Sequence, residues 1–153
     1  MKVMRPVLIL INIVLVLFIW GNSAKPAEVS SEQSGGLAVF LEDTAQKFNI
    51  ILTEGQAQHI IRKTAHFTEY AALGFLLGAA FSVYGKKLKV YGAHVLLLCG
   101  ITAVTDESIQ LFFPGRSAEV TDVMLDFSGA AAGFLAVWLL VFFVQCRRKK
   151  KAS

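Results

Sequence analysis

Residues 62–85 read RKTAHFTEYAALGFLLGAAFSVYG, a polar opening that leads directly into an apolar stretch. Tyr70–Gly85 carries no charged residue, and three similar uncharged runs occupy Pro6–Gly21, Val90–Thr105 and Phe127–Cys146. A helix needs about 20 residues to cross the hydrocarbon core of a bilayer, with about 17 as the lower end. The four runs therefore predict an all-α protein whose core is a bundle of four membrane-spanning helices.

The composition agrees with a membrane protein. The 153-residue chain is 55% hydrophobic and only 17% charged, whereas about a quarter of the residues in a soluble domain are charged. We expect one domain, residues 1–153, with spans at about 6–22, 66–85, 88–106 and 125–146, outer polar segments at 23–65 and 107–124, and a basic tail at 147–153.

The distribution of basic residues predicts which side of the membrane each segment faces. Lysines and arginines gather at Lys2 and Arg5, at Lys86, Lys87 and Lys89, and in the tail Arg147–Lys151. With four spans these groups fall on one side, which the positive-inside rule makes the cytoplasm. We therefore expect a multi-pass protein with both termini in the cytoplasm, and no nucleic-acid partner despite the net charge of +4.

The first run has an alternative interpretation as a cleaved signal peptide. Lys2 and Arg5 precede its hydrophobic core, and GNSAKPA follows it. Asn22 fits poorly at the third position before a cleavage site after Ala24, although cleavage after Ser23 is more acceptable. The sequence favours an uncleaved anchor, while cleavage would leave three spans.

Between the first two spans, GNSAKPAEVSSEQSGG is typical of a loop because it is rich in serine, glycine and charge. Apolar residues then recur at helical spacing from Leu37 to Leu52, which predicts a short amphipathic helix on the outer surface. Gly55 is the expected end of that helix, and the next helix is expected to begin near Gln56. Glycines at four-residue spacing in spans two and four indicate closely packed helix backbones.

Ionisable residues lie at the outer ends of three spans. Because the second apolar run is short, its outer turn must lie below the membrane surface, which places Glu69 in the outer leaflet and His66 near its edge. Charged groups at that depth normally face protein or water and pair with one another. The candidate ligand-binding residues are Arg62, His66, Glu69, Tyr70, Asp106, Glu107, Gln110, Arg116 and Asp122.

Four interpretations of this cluster stay open at the level of the sequence. The cluster is either a structural network of ion pairs between helices, a binding site, an enzyme site or part of a transporter. Four spans are few for a transporter. In the binding version, Arg62 and Arg116 hold a phosphate or carboxylate through paired hydrogen bonds. In the enzyme version, the catalytic candidates are His66, as a base oriented by Glu69, and the buried acid pair Asp106 and Glu107, which provides a general acid.

Metal binding is a further option that the sequence does not favour. His66, Glu69, Asp106 and Asp122 carry suitable donor atoms, but their spacing matches no metal-binding motif. We therefore assign no metal from the sequence, and no cofactor is identified by it.

Two polar motifs carry a resemblance to a known family. RKTAHFTEYAALG, followed by TDESIQLFFPGRSAEVTDVMLDFSGAAAG, resembles the VanZ-like family of small bacterial membrane proteins. The resemblance implies a four-helix protein of the bacterial plasma membrane and cell envelope. The founding member is associated with antibiotic resistance, to the lipoglycopeptide teicoplanin. This implies an envelope lipid intermediate or a lipoglycopeptide as partner, besides the lipid bilayer. Asp126 departs from the family pattern, which often has Asn there.

Overall fold

The computed structural model describes residues 4–83 and 88–152, and within those ranges it contains helices and no strand. This confirms the predicted all-α class. Five helices follow one another: α1 (Met4–Ser23), α2 (Ala27–Lys47), α3 (Glu54–Val83), α4 (Leu88–Gln110) and α5 (Val120–Ala152).

Three of these helices, α1, α4 and α5, are long and apolar enough to cross a membrane, judged by length and composition over the described residues. The candidate spans are Met4–Ser23, Tyr91–Gln110 and Val120–Arg148. The chain therefore has the helices of a membrane protein, but the predicted total of four spans is not confirmed. Helix α3 carries polar turns before Tyr70, and its described part ends at Val83. The expected anchors Lys2, Lys86 and Lys87 lie outside the described residues.

Helix α2 corrects two predictions. Residues 27–36 are helical, although their Ser and Gly content predicts a loop. The helix also ends earlier than Gly55: Asn49 adopts a left-handed backbone with φ 58°, and the Ile50 N–H donates to the Ala45 carbonyl. Asn tolerates this conformation better than most residues, so it terminates helices in the way glycine does.

Helix α3 begins at Glu54 because Thr53 and Gln56 cap it reciprocally. The Gln56 N–H donates to Thr53 Oγ1 over 3.4 Å, and the Thr53 N–H donates to Gln56 Oε1 over 3.0 Å. This is a capping box, which satisfies backbone donors that the first turn of a helix leaves free. Gly55 therefore lies inside the first turn of α3.

The most extensive packing joins α3 to α5. Glycines on α5 have no side chain, so the backbone of α3 lies directly against them. A Cβ added to Gly129 would collide with the Phe67 carbonyl of α3, and one added to Gly133 would collide with the Ala71 carbonyl. This confirms the close packing that the glycine spacing predicts, here between α3 and α5. The contact brings the polar first half of α3 against the beginning of α5.

We expect Gly133→Ala to destabilise the bundle by about 1–3 kcal/mol, because the added methyl group forces the α3 and α5 backbones apart. The matched control is Gly100→Ala on α4, where the new Cβ would lie 3.6 Å from the Phe127 ring, an ordinary contact. That control should be neutral or stabilising, since alanine favours the helix over glycine. Thermal unfolding midpoints in one detergent measure both, and equal shifts would contradict the packing argument.

Candidate functional site

Three helices bring one ionisable side chain each to the same point: His66 from α3, Asp106 from α4 and Asp126 from α5. His66 Nδ1 lies 3.7 Å from Asp106 Oδ2 and 3.6 Å from Asp126 Oδ1. Both aspartate side chains are 0% exposed, and the His66 side chain is 15% exposed. We refer to these three residues as the His–Asp–Asp cluster.

The His–Asp–Asp cluster is short of hydrogen-bond partners. Among the described residues, none bonds to His66 Nδ1 or to any carboxylate oxygen of Asp106 and Asp126, although all are buried. The buried hydroxyls of Tyr70 and Ser23 are also unpartnered there. Tyr70 interacts electrostatically with both aspartates, and Ser23 lies beside Asp106. Buried polar groups are normally paired, so this concentration of unpaired atoms calls for an explanation.

Asp126 belongs to the His–Asp–Asp cluster but not to the set of candidates from the sequence. It lies three and seven residues before Gly129 and Gly133, so it shares the helix face that those glycines turn towards α3. This spacing from the glycines is the feature of the sequence that indicates an inward-facing Asp126. Asp122, the candidate that the sequence offers on this helix, lies one turn earlier and pairs with Lys63 over 2.5 Å at a partly exposed position.

Glu69 is directed towards α1 rather than towards His66. Its Oε1 accepts a hydrogen bond from Asn22 Nδ2 over 3.0 Å, and Asn22 Oδ1 accepts one from Lys25 Nζ over 3.0 Å. The predicted arrangement of His66 as a base oriented by Glu69 is therefore not the hydrogen-bonded arrangement in the structure.

Glu107 and Gln110 stabilise the connection between α4 and α5. Glu107 Oε1 accepts from Gln110 Nε2 over 2.9 Å, and Glu107 Oε2 accepts from the Glu119 N–H over 3.0 Å. Glu107 thus binds the α4–α5 connection while Asp106 faces His66, because neighbouring residues on a helix point in different directions. The acid that faces Asp106 across His66 is Asp126.

Arg116 lies in the α4–α5 connection, just after a turn at Gly115, whose φ is 74°. Its Nε donates to the Lys25 carbonyl over 3.2 Å, which attaches this connection to the segment between α1 and α2. Burial lowers the pKa of the Arg116 guanidinium below its usual value, and the nearby charge of Arg62 lowers that pKa further. The two arginines are therefore close enough to repel each other.

Arg62 borders a small polar cavity of about 130 Å³ between α2 and α3, whose lining includes Ser30, Ser31, Ser34 and His59. Its Nη2 lies 3.4 Å from His59 Nδ1. Within the described part of the chain, neither Arg62 nor Arg116 has a carboxylate oxygen within 4.0 Å. Most of their hydrogen-bond donors are thus left for another partner.

Glu69, Glu107, Gln110 and Asp122 therefore have partners of their own, and the polar residues that remain form two chemically different groups. The His–Asp–Asp cluster, with Tyr70, presents buried oxygen and nitrogen atoms that suit a proton or a cation. Arg62 and Arg116, which we call the arginine pair, suit an anion.

Comparison with known proteins gives one match. A family model described as VanZ/LLP1 matches residues 8–142, which include both polar motifs and parts of all five helices. Neither a curated protein nor a solved structure matches the chain.

We expect Glu107→Ala to lower the unfolding free energy by about 1–3 kcal/mol, because it removes two hydrogen bonds and leaves a partly buried N–H unpaired. Limited proteolysis within residues 111–119, together with the thermal midpoint, measures the effect. The control is Glu119→Ala, which keeps the backbone N–H that Glu107 binds. Equal sensitivity of the two variants to protease would contradict the role given to Glu107.

Proposed function

The chain belongs to the VanZ/LLP1 family, and we propose that it binds the anionic group of a lipid-linked or lipoglycopeptide ligand at the outer face of the bacterial plasma membrane. In this proposal the chain crosses the membrane four times, with residues 66–85 as the second span and both termini in the cytoplasm. The distribution of lysine and arginine along the sequence supports that orientation.

The arginine pair is the observation that carries the proposal. Arg62 and Arg116 hold two positive charges close together, half-buried, without a carboxylate contact among the described residues. Like charges brought together out of water cost free energy, and an anion between them removes that cost. The planar guanidinium group offers paired donors that match the oxygens of a phosphate or a carboxylate.

An apolar groove supports a ligand with a lipid tail rather than a small soluble anion. A cavity of about 620 Å³ lies between α1, α3 and α4, lined largely by side chains such as Ile13, Leu77 and Leu98. Its lining also includes Thr102, which precedes Asp106 by one turn of α4. Asp106 in turn interacts electrostatically with Arg116. A hydrocarbon chain in this groove would thus place its headgroup near the arginine pair.

A second candidate function is an enzyme that acts on a lipid-linked envelope intermediate. The observation that favours it is His66, which is held between two buried carboxylates and remains 15% exposed. A histidine next to a carboxylate is a common general base. Release of a product from a lipid-linked substrate, dependent on His66, distinguishes this function from binding alone.

We expect Arg116→Ala to weaken binding of a polyprenyl phosphate by about ten-fold or more, since hydrogen bonds to charged groups contribute about 1.5–3 kcal/mol. Native mass spectrometry or a titration in nanodiscs measures the affinity, with the uncharged polyprenol as the reference ligand. Arg62→Ala should act similarly, whereas Arg148→Ala, an exposed arginine at the far end of α5, should not. Unchanged affinity in both test variants would overturn the proposal.

We also expect the wild-type protein to raise the teicoplanin tolerance of a sensitive bacterial host, and the Arg62→Ala/Arg116→Ala double variant to lose that protection. The reason is that the proposed headgroup contact is made by the arginine pair. Minimal inhibitory concentrations are compared at matched membrane levels, with Arg148→Ala as control. Equal protection by the double variant would show that resistance does not depend on the arginine pair.

A further inference from the structure

We propose that His66, Asp106 and Asp126 bind one divalent transition-metal ion, of which Zn²⁺ is the expected occupant. Each residue offers one ligand atom, and these atoms lie within 4.8 Å of one another. The three residues come from three different helices, so the proposed ion would join α3, α4 and α5 at one point.

The distances in the cluster fit ligation better than they fit ion pairing. His66 Nδ1 stands 3.6 and 3.7 Å from the nearest aspartate oxygens, beyond hydrogen-bond range. A charged hydrogen bond between imidazolium and carboxylate would shorten this separation to about 2.7–2.9 Å. Two ligand atoms bound at about 2.1 Å around one tetrahedral Zn²⁺ are separated by about 3.4 Å. The observed separations are close to that value.

The charge balance of the His–Asp–Asp cluster is an independent reason to expect a bound cation. Asp106 and Asp126 are fully buried in a bundle of apolar helices, where two ionised carboxylates without a counter-charge are very costly. Among the described residues, His66 is the only basic side chain within 4.0 Å of either carboxylate, and it is neutral as a metal ligand, whereas Arg116 and Lys63 act on the aspartates from farther away. One divalent cation bound by two carboxylates and a neutral imidazole leaves a net charge of zero.

The buried hydroxyls beside the cluster are a second observation that points to a ligand. Tyr70 is 0% exposed and Ser23 is 1% exposed; the Tyr70 hydroxyl has no partner among the described residues, and the Ser23 hydroxyl lies close enough to Asp106 to interact with it without making a hydrogen bond of standard geometry. Ser23 lies beside Asp106, and Tyr70 interacts with both aspartates. A carboxylate that binds a metal through one oxygen accepts hydrogen bonds at the other, and hydroxyls are suitable donors for that oxygen.

The donor set selects the class of metal. Carboxylate oxygens alone suit Mg²⁺ and Ca²⁺, whereas an imidazole nitrogen favours Zn²⁺ and other transition metals. One nitrogen and two oxygens are a combination that Zn²⁺ accepts, with a fourth position open to water or another ligand. This inference does not depend on the proposed binding of a lipid headgroup, because the arginine pair contributes no metal ligand.

The test is metal binding by the full-length protein, purified in detergent, stripped with a chelator and titrated with Zn²⁺ in the absence of any lipid ligand. We expect about one tightly bound Zn²⁺ per chain by calorimetry and elemental analysis, with Co²⁺ giving the visible absorption bands of a low-symmetry site. Wild-type protein that binds no stoichiometric Zn²⁺, or prefers Mg²⁺ to Zn²⁺, would overturn the inference.

Variants distinguish the cluster from incidental surface carboxylates. Asp126→Asn and Asp106→Asn should each weaken Zn²⁺ binding at least ten-fold, whereas Asp122→Asn, one turn earlier on α5 and paired with Lys63, should leave it unchanged. Asp126→Cys keeps a metal ligand, so it should retain the ion and add a sulfur-to-cobalt charge-transfer band in the near ultraviolet. An affinity unaffected by Asp126→Asn in folded protein, or a Cys variant without the new band, would contradict the assignment.

Discussion

The close approach of α3 and α5 is the constraint on which the rest of the structure depends. It is possible only because Gly129 and Gly133 leave room for the backbone carbonyls of Phe67 and Ala71. His66 immediately precedes Phe67, and Asp126 lies one turn before Gly129, so the same contact that packs the helices sets the separation between these two side chains. In lipid, where apolar side chains gain little by leaving their surroundings, such close packing is a principal source of helix association.

Most polar groups at this end of the bundle have an identifiable partner, which makes the exceptions informative. Lys63 pairs with Asp122, Asn22 with Glu69, and Glu107 binds both Gln110 and the Glu119 backbone. These contacts explain the charged turns of α3 and α4 as connections between helices. The His–Asp–Asp cluster is not explained in this way, because its buried oxygen and nitrogen atoms lack hydrogen-bond partners among the described residues. The arginine pair contacts the Lys25 carbonyl and His59, but neither arginine has a carboxylate oxygen within 4.0 Å in the described part of the chain.

The two groups have opposite electrostatic character and lie near each other, since Asp106 acts on the charge of Arg116. A cation at the aspartates would offset their negative charge, and an anion at the arginines would offset their positive charge. The apolar groove that includes Thr102 would keep a lipid tail in hydrocarbon while its headgroup meets the polar residues. Under the proposed function, this arrangement would suit ligands that are themselves divided between lipid and water, a property that lipid-linked intermediates and lipoglycopeptides share.

The sequence alone determined the all-α class, the membrane character, the family and most of the polar residues on which the proposals depend, because apolar run length and charge position are properties of the chain itself. It also indicated the glycine faces through their spacing. It misjudged residues 27–36 and overlooked Asn49, where local conformation decides whether a helix continues. Only the tertiary structure separated Asp126 from Asp122 and Asp106 from Glu107. All four are acids on the correct helices, and the direction in which each side chain points depends on how α3, α4 and α5 are rotated against one another.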